Sequence, residues 1–255
     1  IGVGRSGTTL LQCMLNAHSR IAFLPETHFI RRYGDNPRMA RLVRRRGMAP
    51  LLSLMRQDAD MARTGIDLEK FSESPDMRQW FCRLLEEYAS ARNADRVGEK
   101  DPKNIEHLPL IRQWFPNAQV IHLVRDPRDV MVSRLRAGWS RKRPFIFHLA
   151  ACREQLLLGC RLGPELFGSS YIEIRYEDLV IRPRKTLRSL CLHLGMEFEP
   201  EMLNYMSQAR ELISEKERQW KENCFRPLLT GNIGKWRREL SPRRARRVEW
   251  VCAET

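Results

Sequence analysis

The first fifteen residues, IGVGRSGTTLLQCML, constrain the fold more than any other stretch of the chain. A short apolar run, residues 1–3, enters a Gly-x-Gly turn, and an amphipathic helical pattern (Leu10, Leu11, Met14, Leu15) follows Thr8 and Thr9. Strand, glycine-rich turn and helix in that order make a cradle for phosphate. Gly2, Gly4 and Gly7 let backbone amides turn inward, and the helix N-terminus adds partial positive charge. Ser6, Thr8 and Thr9 supply hydroxyls. The spacing from Gly2 to Gly7 is that of a triphosphate-binding loop, yet Thr8 stands where that loop requires lysine. Such a loop serves a magnesium triphosphate poorly. Arg5, on the loop itself, offers a planar fork suited to a smaller terminal anion.

Downstream, apolar runs at residues 21–24 and 119–124 and the stretch SSYIEIRY alternate with helical patterns. That alternation predicts an α/β fold, a P-loop-type parallel β-sheet flanked by helices. Gly195 takes the C′ position of the helix read from EDLVIRPRKTLRSLCLHLG. Residues 31–96 are charged, helical in period and poor in β-branched side chains, which reads as a helical insertion capping a site within a single domain of residues 1–255. Ligands of parallel sheets bind at the carboxyl ends of the strands. Residues 4–9, 99–103 and 125–133 fall at those ends, so they are expected to converge.

The third of these clusters, in VRDPRDVMVSR, has Arg125 at a strand tip and Ser133 on the helix that follows. A nucleoside-triphosphatase would place an acidic strand end here, but an arginine would compete with its bound cation. A basic tip followed by a serine reads instead as a second phosphate site. Two phosphate sites without a triphosphate motif suggest a nucleotide phosphorylated at both ends of its ribose.

The formal charge of +14 suits an anionic ligand, an acidic substrate, nucleic acid or an anionic membrane surface. Scattered runs such as residues 44–46 read as a solvated basic face. The basic stretch KWRRELSPRRARR carries a single aromatic residue, so no nucleic-acid partner is expected. No apolar run approaches the roughly 18 residues that span a membrane. Seven cysteines, none in a C-x-x-C pair, point to reduced, mostly buried thiols rather than zinc, and leave open one or two bridges in a lumenal protein. The absence of an N-x-[ST] sequon leans toward a cytosolic setting.

GVGRSGTTLL and VRDPRDVMVSR resemble the 5′-phosphosulfate loop and the 3′-phosphate motif of sulfotransferases that use 3′-phosphoadenosine 5′-phosphosulfate (PAPS). The likeness extends to EKDPKN, FPNAQVIHLVRD, RYEDLV and GNIGKWRREL, nearly the whole chain except residues 31–96. GRSGTTLL, PET and KDP are most similar to the tyrosylprotein-sulfotransferase-like branch and its bacterial relatives. The resemblance implies PAPS as donor, the nucleotide PAP as product and no metal. It places Arg5, Ser6, Gly7, Thr8 and Thr9 on the 5′-phosphosulfate, Arg125 and Ser133 on the 3′-phosphate, and Tyr176 near the adenine. Lys235 and Trp236 would close over the nucleotide.

For catalysis the resemblance implies Lys100, with Arg5, on the leaving oxygen and Glu26 of PETHF as the base. His28 is the rival base, whereas His18 and His107 are not chosen. Pro102 stands where the cytosolic branch has its histidine base. Two departures matter. Trp220 occupies the position of an acceptor-side serine, and Arg136 lies three rather than four residues beyond Ser133. The acceptor is a hydroxyl on a peptide tyrosine, carbohydrate, lipid headgroup or small metabolite, and the arginines of residues 31–96 and 137–165 hint that it is anionic. The alternatives are a catalytically silent PAP or polyanion binder and a P-loop nucleotide kinase. The compartment expected is the cytoplasm for a bacterial enzyme and the Golgi lumen for a truncated eukaryotic one.

Overall fold

The computed structural model describes residues 1–140 and 143–253; Arg141 and Lys142, inside the 137–165 stretch, lie outside the described residues. Residues 1–3 are extended, with the Leu123 amide donating to the Ile1 carbonyl at 3.1 Å and Gly2 bridging Leu123 in parallel. The loop then turns into helix α1 (Thr8–Asn16), which is buried from Thr8 to Leu15. Strand β1 (Ile21–Phe23) stops one residue short of its apolar run, although the Leu24 amide still donates to the Gly98 carbonyl at 3.0 Å.

The next stretch is helical as its period predicts. It holds α2 (Pro37–Arg46), α3 (Ala49–Arg56), α4 (Ala59–Ala62) and α5 (Met77–Ser90). Asn36 caps α2 and Asp76 caps α5, each side chain accepting from amides of the first turn. Helix α2 buries no residue and ends on Arg44, Arg45 and Arg46, a solvated helix whose cations suit its C-terminal dipole. Helix α5 buries Met77, Trp80, Phe81, Leu84 and Tyr88, a helical stripe packed around Phe29, whose ring stacks on Phe81 at 4.2 Å. Residues 31–96 thus gather a core of their own.

Strand β2 (Arg96–Gly98) pairs in parallel with β1, Ile21 opposite Arg96. Helix α6 (Leu108–Trp114) leads to β3 (Val120–Val124), α7 (Pro127–Arg136) and α8 (Phe145–Leu157), then α9 (Gly163–Phe167) and β4 (Tyr171–Arg175). Strands β3 and β4 are parallel, with Val120 opposite Tyr171 and Val124 opposite Arg175. Among the described residues the strands form two short parallel ladders rather than one sheet. A cavity of about 570 Å³ lined by Ile1, Phe23, Val97 and Ile121 lies between them.

The remaining elements are helical: α10 (Tyr176–Ile181), α11 (Pro183–His193), α12 (Met206–Leu212), α13 (Glu215–Lys221), α14 (Trp236–Glu239) and α15 (Pro242–Val251). Gly195, past the end of α11, has φ +69°, and the Met196 amide closes back on the Cys191 carbonyl at 2.9 Å, the expected C-terminal cap. The main core joins α1, β3, β4 and α10 to α12 through residues such as Met14, Leu123, Leu179, Leu190 and Met202. Each such buried side chain contributes about 1.5–3 kcal/mol by leaving water, so the loop and helix α1 rest on a large buried apolar cluster. All seven cysteines are free thiols, five of them buried. No helix among the described residues is long and apolar enough to cross a membrane.

Candidate active site

The three strand-end clusters meet. A cavity of about 730 Å³ is lined by Gly4, Arg5, Gly7, Thr8 and Thr9 from the loop, by Asp101, Pro102 and Lys103 beyond β2, and by Arg125 and Ser133 around α7. Glu26, His28, Tyr176 and Lys235 complete that lining, together with Trp220 and Lys221 of α13.

The loop is shaped for close approach. Gly7 has φ +101°, and a Cβ there would lie 2.5 Å from Cδ2 of Tyr176. Arg5 itself sits at φ +85°, a conformation that is costly for a side-chain-bearing residue and is held here by its contacts. Its Nε donates to Ser133 Oγ at 3.1 Å and its Nη2 to the Trp220 carbonyl at 2.6 Å. Ser6 is fully buried and its hydroxyl has no partner.

Arg125 is 5% exposed and lies over the Tyr176 ring at 4.2 Å. Its Nη1 donates to the Arg5 carbonyl at 3.3 Å and its Nη2 to the Asn232 carbonyl at 2.7 Å, while Nε is buried without an acceptor. Lys235 is 8% exposed, and among the described residues its ammonium has no carboxylate partner. Burial, reinforced by Arg125 and Arg134, draws the Arg5 guanidinium below its ordinary pKa. Buried cations without carboxylates are costly, several kcal/mol each before compensation. Together with the unpartnered Arg125 Nε they suit the cavity to an anion, whereas Ser6, fully buried, does not line it.

Across the cavity, Glu26 is 6% exposed and its Oε1 accepts from Lys100 and, at 2.7 Å, from Lys221. Lys100 also donates to Thr9 Oγ1 at 3.1 Å, so one ammonium links the carboxylate to the loop. Burial, followed by repulsion from Lys221, pulls Lys100 well below the ordinary lysine range. Asp101 Oδ2 accepts from His28 Nδ1 and Arg31 Nε, both at 2.7 Å. Burial alone would raise the Asp101 pKa. The His28 hydrogen bond and charge, with the Lys103 amide and Arg31, outweigh it and hold the carboxyl well below its usual range. His28 is therefore committed to Asp101, leaving Glu26 as the carboxylate that faces Lys100.

The structure thus brings together Arg5, Gly7, Thr8, Thr9, Glu26, Lys100, Arg125, Ser133, Tyr176 and Lys235. Trp236 is placed elsewhere. Its indole packs under the Arg128 guanidinium at 3.9 Å and does not line the cavity. Arg136 is also turned away, pairing with Glu239 at 2.9 Å. Arg134 is buried instead, donating to the Gly4 carbonyl, the His148 carbonyl and Gln155 Oε1. His18 bonds the Glu197 carbonyl and His107 bonds Asp35, both outside the cavity. Of residues 31–96, Arg31 lines the cavity; from the 137–165 stretch Arg143, Phe147, His148, Ala151 and Gln155 do. Sequence reasoning missed Lys221. The Ser214-x-x-Glu217 pattern with lysine four residues on marks the helix that carries it, but nothing in that pattern says which way the helix faces.

The sequence profile of the sulfotransferase family matches residues 1–200. Protein-tyrosine sulfotransferase 1 of Danio rerio is 24% identical over 245 residues, 92% of this chain and 64% of that protein. A protein of Aquifex aeolicus is 25% identical over 93% of this chain, which spans 30% of its length. The chain thus spans less than two thirds of the length of each of these two relatives. Among solved structures, a sulfotransferase domain from the curacin biosynthetic pathway superposes with a TM-score of 0.68 at 21% identity, covering 99% of this chain and 95% of that one. With a family profile matched over most of its length, the loop and strand-end cavity just described are those of a chain that belongs to the sulfotransferase family.

Proposed function

We propose that this chain transfers the sulfuryl group of PAPS to a hydroxyl acceptor and releases PAP, with Glu26 as the base. The observation that carries the reading is that a carboxylate–lysine couple, Glu26 and Lys100, borders a cavity that Glu26 lines together with two buried cations, Arg125 and Lys235, and the half-buried Arg5, none with a carboxylate partner among the described residues. The unpartnered Arg125 Nε fits a doubly phosphorylated nucleotide. Arg5, Ser6, Gly7, Thr8 and Thr9 would hold its 5′ end, Arg125 and Ser133 its 3′-phosphate, and Tyr176 its base.

Bound PAPS supplies a sulfuryl group activated on a phosphate, so the protein has only to position it, take up a proton and stabilise charge. Lys100 and Arg5 would stabilise the negative charge that develops on the departing phosphate oxygen. Glu26, which lines the same cavity, takes the acceptor proton. The hydroxyl oxygen gains the bond to sulfur as the sulfur–phosphate oxygen bond breaks. In-line transfer would need the acceptor oxygen beside Glu26 and opposite the departing phosphate oxygen held by the loop. Arg31, Lys103 and Arg143 line the rest of it and favour an acceptor bearing negative charge.

Calorimetric titration with PAP in the absence of magnesium tests the nucleotide half of this reading. Arg125→Ala, which removes charge-assisted hydrogen bonds, is expected to weaken binding about a hundredfold. Incubation with PAPS and a panel of hydroxyl acceptors tests the rest, with Glu26→Gln binding PAP normally but losing about 10²–10⁴-fold in turnover. Binding of ATP with magnesium in place of PAP overturns the reading in favour of a nucleotide kinase. PAP binding without turnover on any acceptor leaves a silent nucleotide binder.

A further inference from the structure

Glu26 is held by two lysines, and only one of them has a place in the chemistry proposed above. Lys221 comes from α13, a helix whose N-terminus is closed by a capping box. The Ser214 amide and hydroxyl both donate to Glu217 Oε2, at 3.2 and 2.9 Å. The other oxygen of the same carboxylate, Oε1, accepts from Lys221 one turn later. Glu217 therefore fixes the start of the helix and the ammonium at its end together. At that end the Trp220 carbonyl accepts from Arg5, so α13 is also anchored to the phosphate loop. Lys221 is 9% exposed at its side chain and Glu26 is 8%, so the pair is largely shielded from bulk solvent.

The two ammonium groups on Glu26 oppose each other. Burial draws Lys221 below the ordinary lysine range, against the pull of Glu217, and Lys221 in turn helps depress Lys100. An arriving phosphate offers Lys100 a second anionic partner on the loop side, where it already reaches Thr9. Lys221 is tied to Glu217 as well as to Glu26, and among the described residues no hydrogen bond of its own to the loop holds it there.

Resting on the functional reading above, we infer that Lys221 is the positioning residue of the base: it keeps Glu26 an oriented carboxylate once Lys100 is engaged by the donor, with Glu217 setting its grip. In this sequence the segment that in the resembling branch contributes a serine contributes an ammonium instead. The other charged groups lining the cavity with Glu26 are Arg5, His28, Arg31, Asp101, Lys103, Glu106, Arg125, Arg134, Arg143, Glu217 and Lys235, and Arg63 lies 3.7 Å from Glu217. Among them His28 and Arg31 are bound to Asp101, and Arg5 to Ser133 and the Trp220 carbonyl. Lys100 and Lys221 are the cations in contact with Glu26.

The test reads Glu26 directly, by carboxyl ¹³C NMR titration with its signal assigned through Glu26→Gln, in wild type, Lys221→Met, Lys221→Arg and Glu217→Gln, with and without PAP. Removing a cation from a carboxylate raises the pH at which it ionises. Lys221→Met is expected to move the Glu26 midpoint up by about one to two pH units, and further when PAP is present. Lys221→Arg should restore most of the wild-type value. Glu217→Gln removes a nearby anion and frees Lys221 for Glu26 alone, so its shift should be downward. Shifts of opposite sign are not produced by mere loosening of α13, and the Glu217 variant decides the matter should Lys221→Met not fold. An unmoved midpoint in Lys221→Met or an upward shift in Glu217→Gln overturns the inference. Failure of the wild type to bind PAP sinks the PAPS reading alone, because the titrations without nucleotide still decide whether Lys221 governs Glu26.

Discussion

The fully buried carboxylate of Asp129 accepts the backbone amide of Gly234 at 2.7 Å, and through its second oxygen the amide of Trp236 at 2.9 Å. One side chain of α7 thereby folds the GNIGKW turn against the helix that begins at the Arg125 strand tip. The same turn presents the Asn232 carbonyl to Arg125 and carries Lys235 into the cavity. Asp129→Ala leaves two buried amides without acceptors, each worth about 1–3 kcal/mol. The variant is expected to unfold earlier in urea and to bind PAP at least tenfold more weakly in calorimetry. Unchanged affinity would show that the turn is not held in place by Asp129.

The glycine-rich turn between the first extended residues and α1, and the Arg125 strand tip beside it, were legible in the sequence because backbone geometry demands particular residues there. Gly7 lies against the Tyr176 ring, and no other residue type fits without movement. Facing was not legible. Trp236 and Lys235 are adjacent in a motif expected to act together, yet Lys235 enters the cavity while the Trp236 indole turns to Arg128. Successive residues of a short helical turn point in different directions, and the neighbour that decides between them, Asp129, is remote in sequence. Lys221 escaped for the same reason: its partner Glu26 is brought to it only by tertiary packing. The strand pattern gave the right alternation of elements, but runs of three to five residues could not reveal that the sheet is parted by a cavity between β2 and the segment 1–3.

Gly7 offers a test of the loop's close fit. A Cβ at this position meets Cδ2 and Cε2 of Tyr176 at 2.5 and 2.7 Å, and φ +101° strains any side chain. Gly7→Ala therefore displaces the ring on which Arg125 rests. The expected cost is about 2–3 kcal/mol of stability, read from urea unfolding, with PAP affinity reduced more than tenfold. A well-folded variant with normal affinity would mean that the ring of Tyr176 is not part of the nucleotide site.

Lys235 predicts a proton linkage. Burial, followed by the charge of Arg125, lowers its pKa to about 8. A phosphate placed beside it favours the charged form and raises that value. At pH 8.5 the free protein carries Lys235 largely neutral, so binding PAP should draw roughly three quarters of a proton from solution, falling to about a tenth at pH 7. Calorimetry in two buffers of different ionisation enthalpy measures the uptake directly, and Lys235→Met should reduce it at pH 8.5. Equal apparent enthalpies in the two buffers at pH 8.5 would place Lys235 away from the bound nucleotide.

Glu99 makes a prediction about stability that is independent of the ligand. Burial, followed by the charge of Asp101, raises its pKa from 4.5 to about 8, and the hydrogen bond from Asn104 only partly opposes the rise. The folded protein therefore holds the Glu99 proton more tightly than the unfolded chain does. The associated stability is fully present below pH 4.5 and is lost progressively as the pH climbs to about 8. Each pH unit within that window removes at most about 1.4 kcal/mol, for a total of a few kcal/mol. Glu99→Gln keeps an acceptor for the Asn104 amide and cannot ionise. In urea unfolding series between pH 5 and 9, wild type should lose stability relative to this variant across the window, and the variant should be the more stable protein at pH 9. Parallel curves for the two proteins would show that Glu99 ionises as freely in the folded state as in the unfolded one.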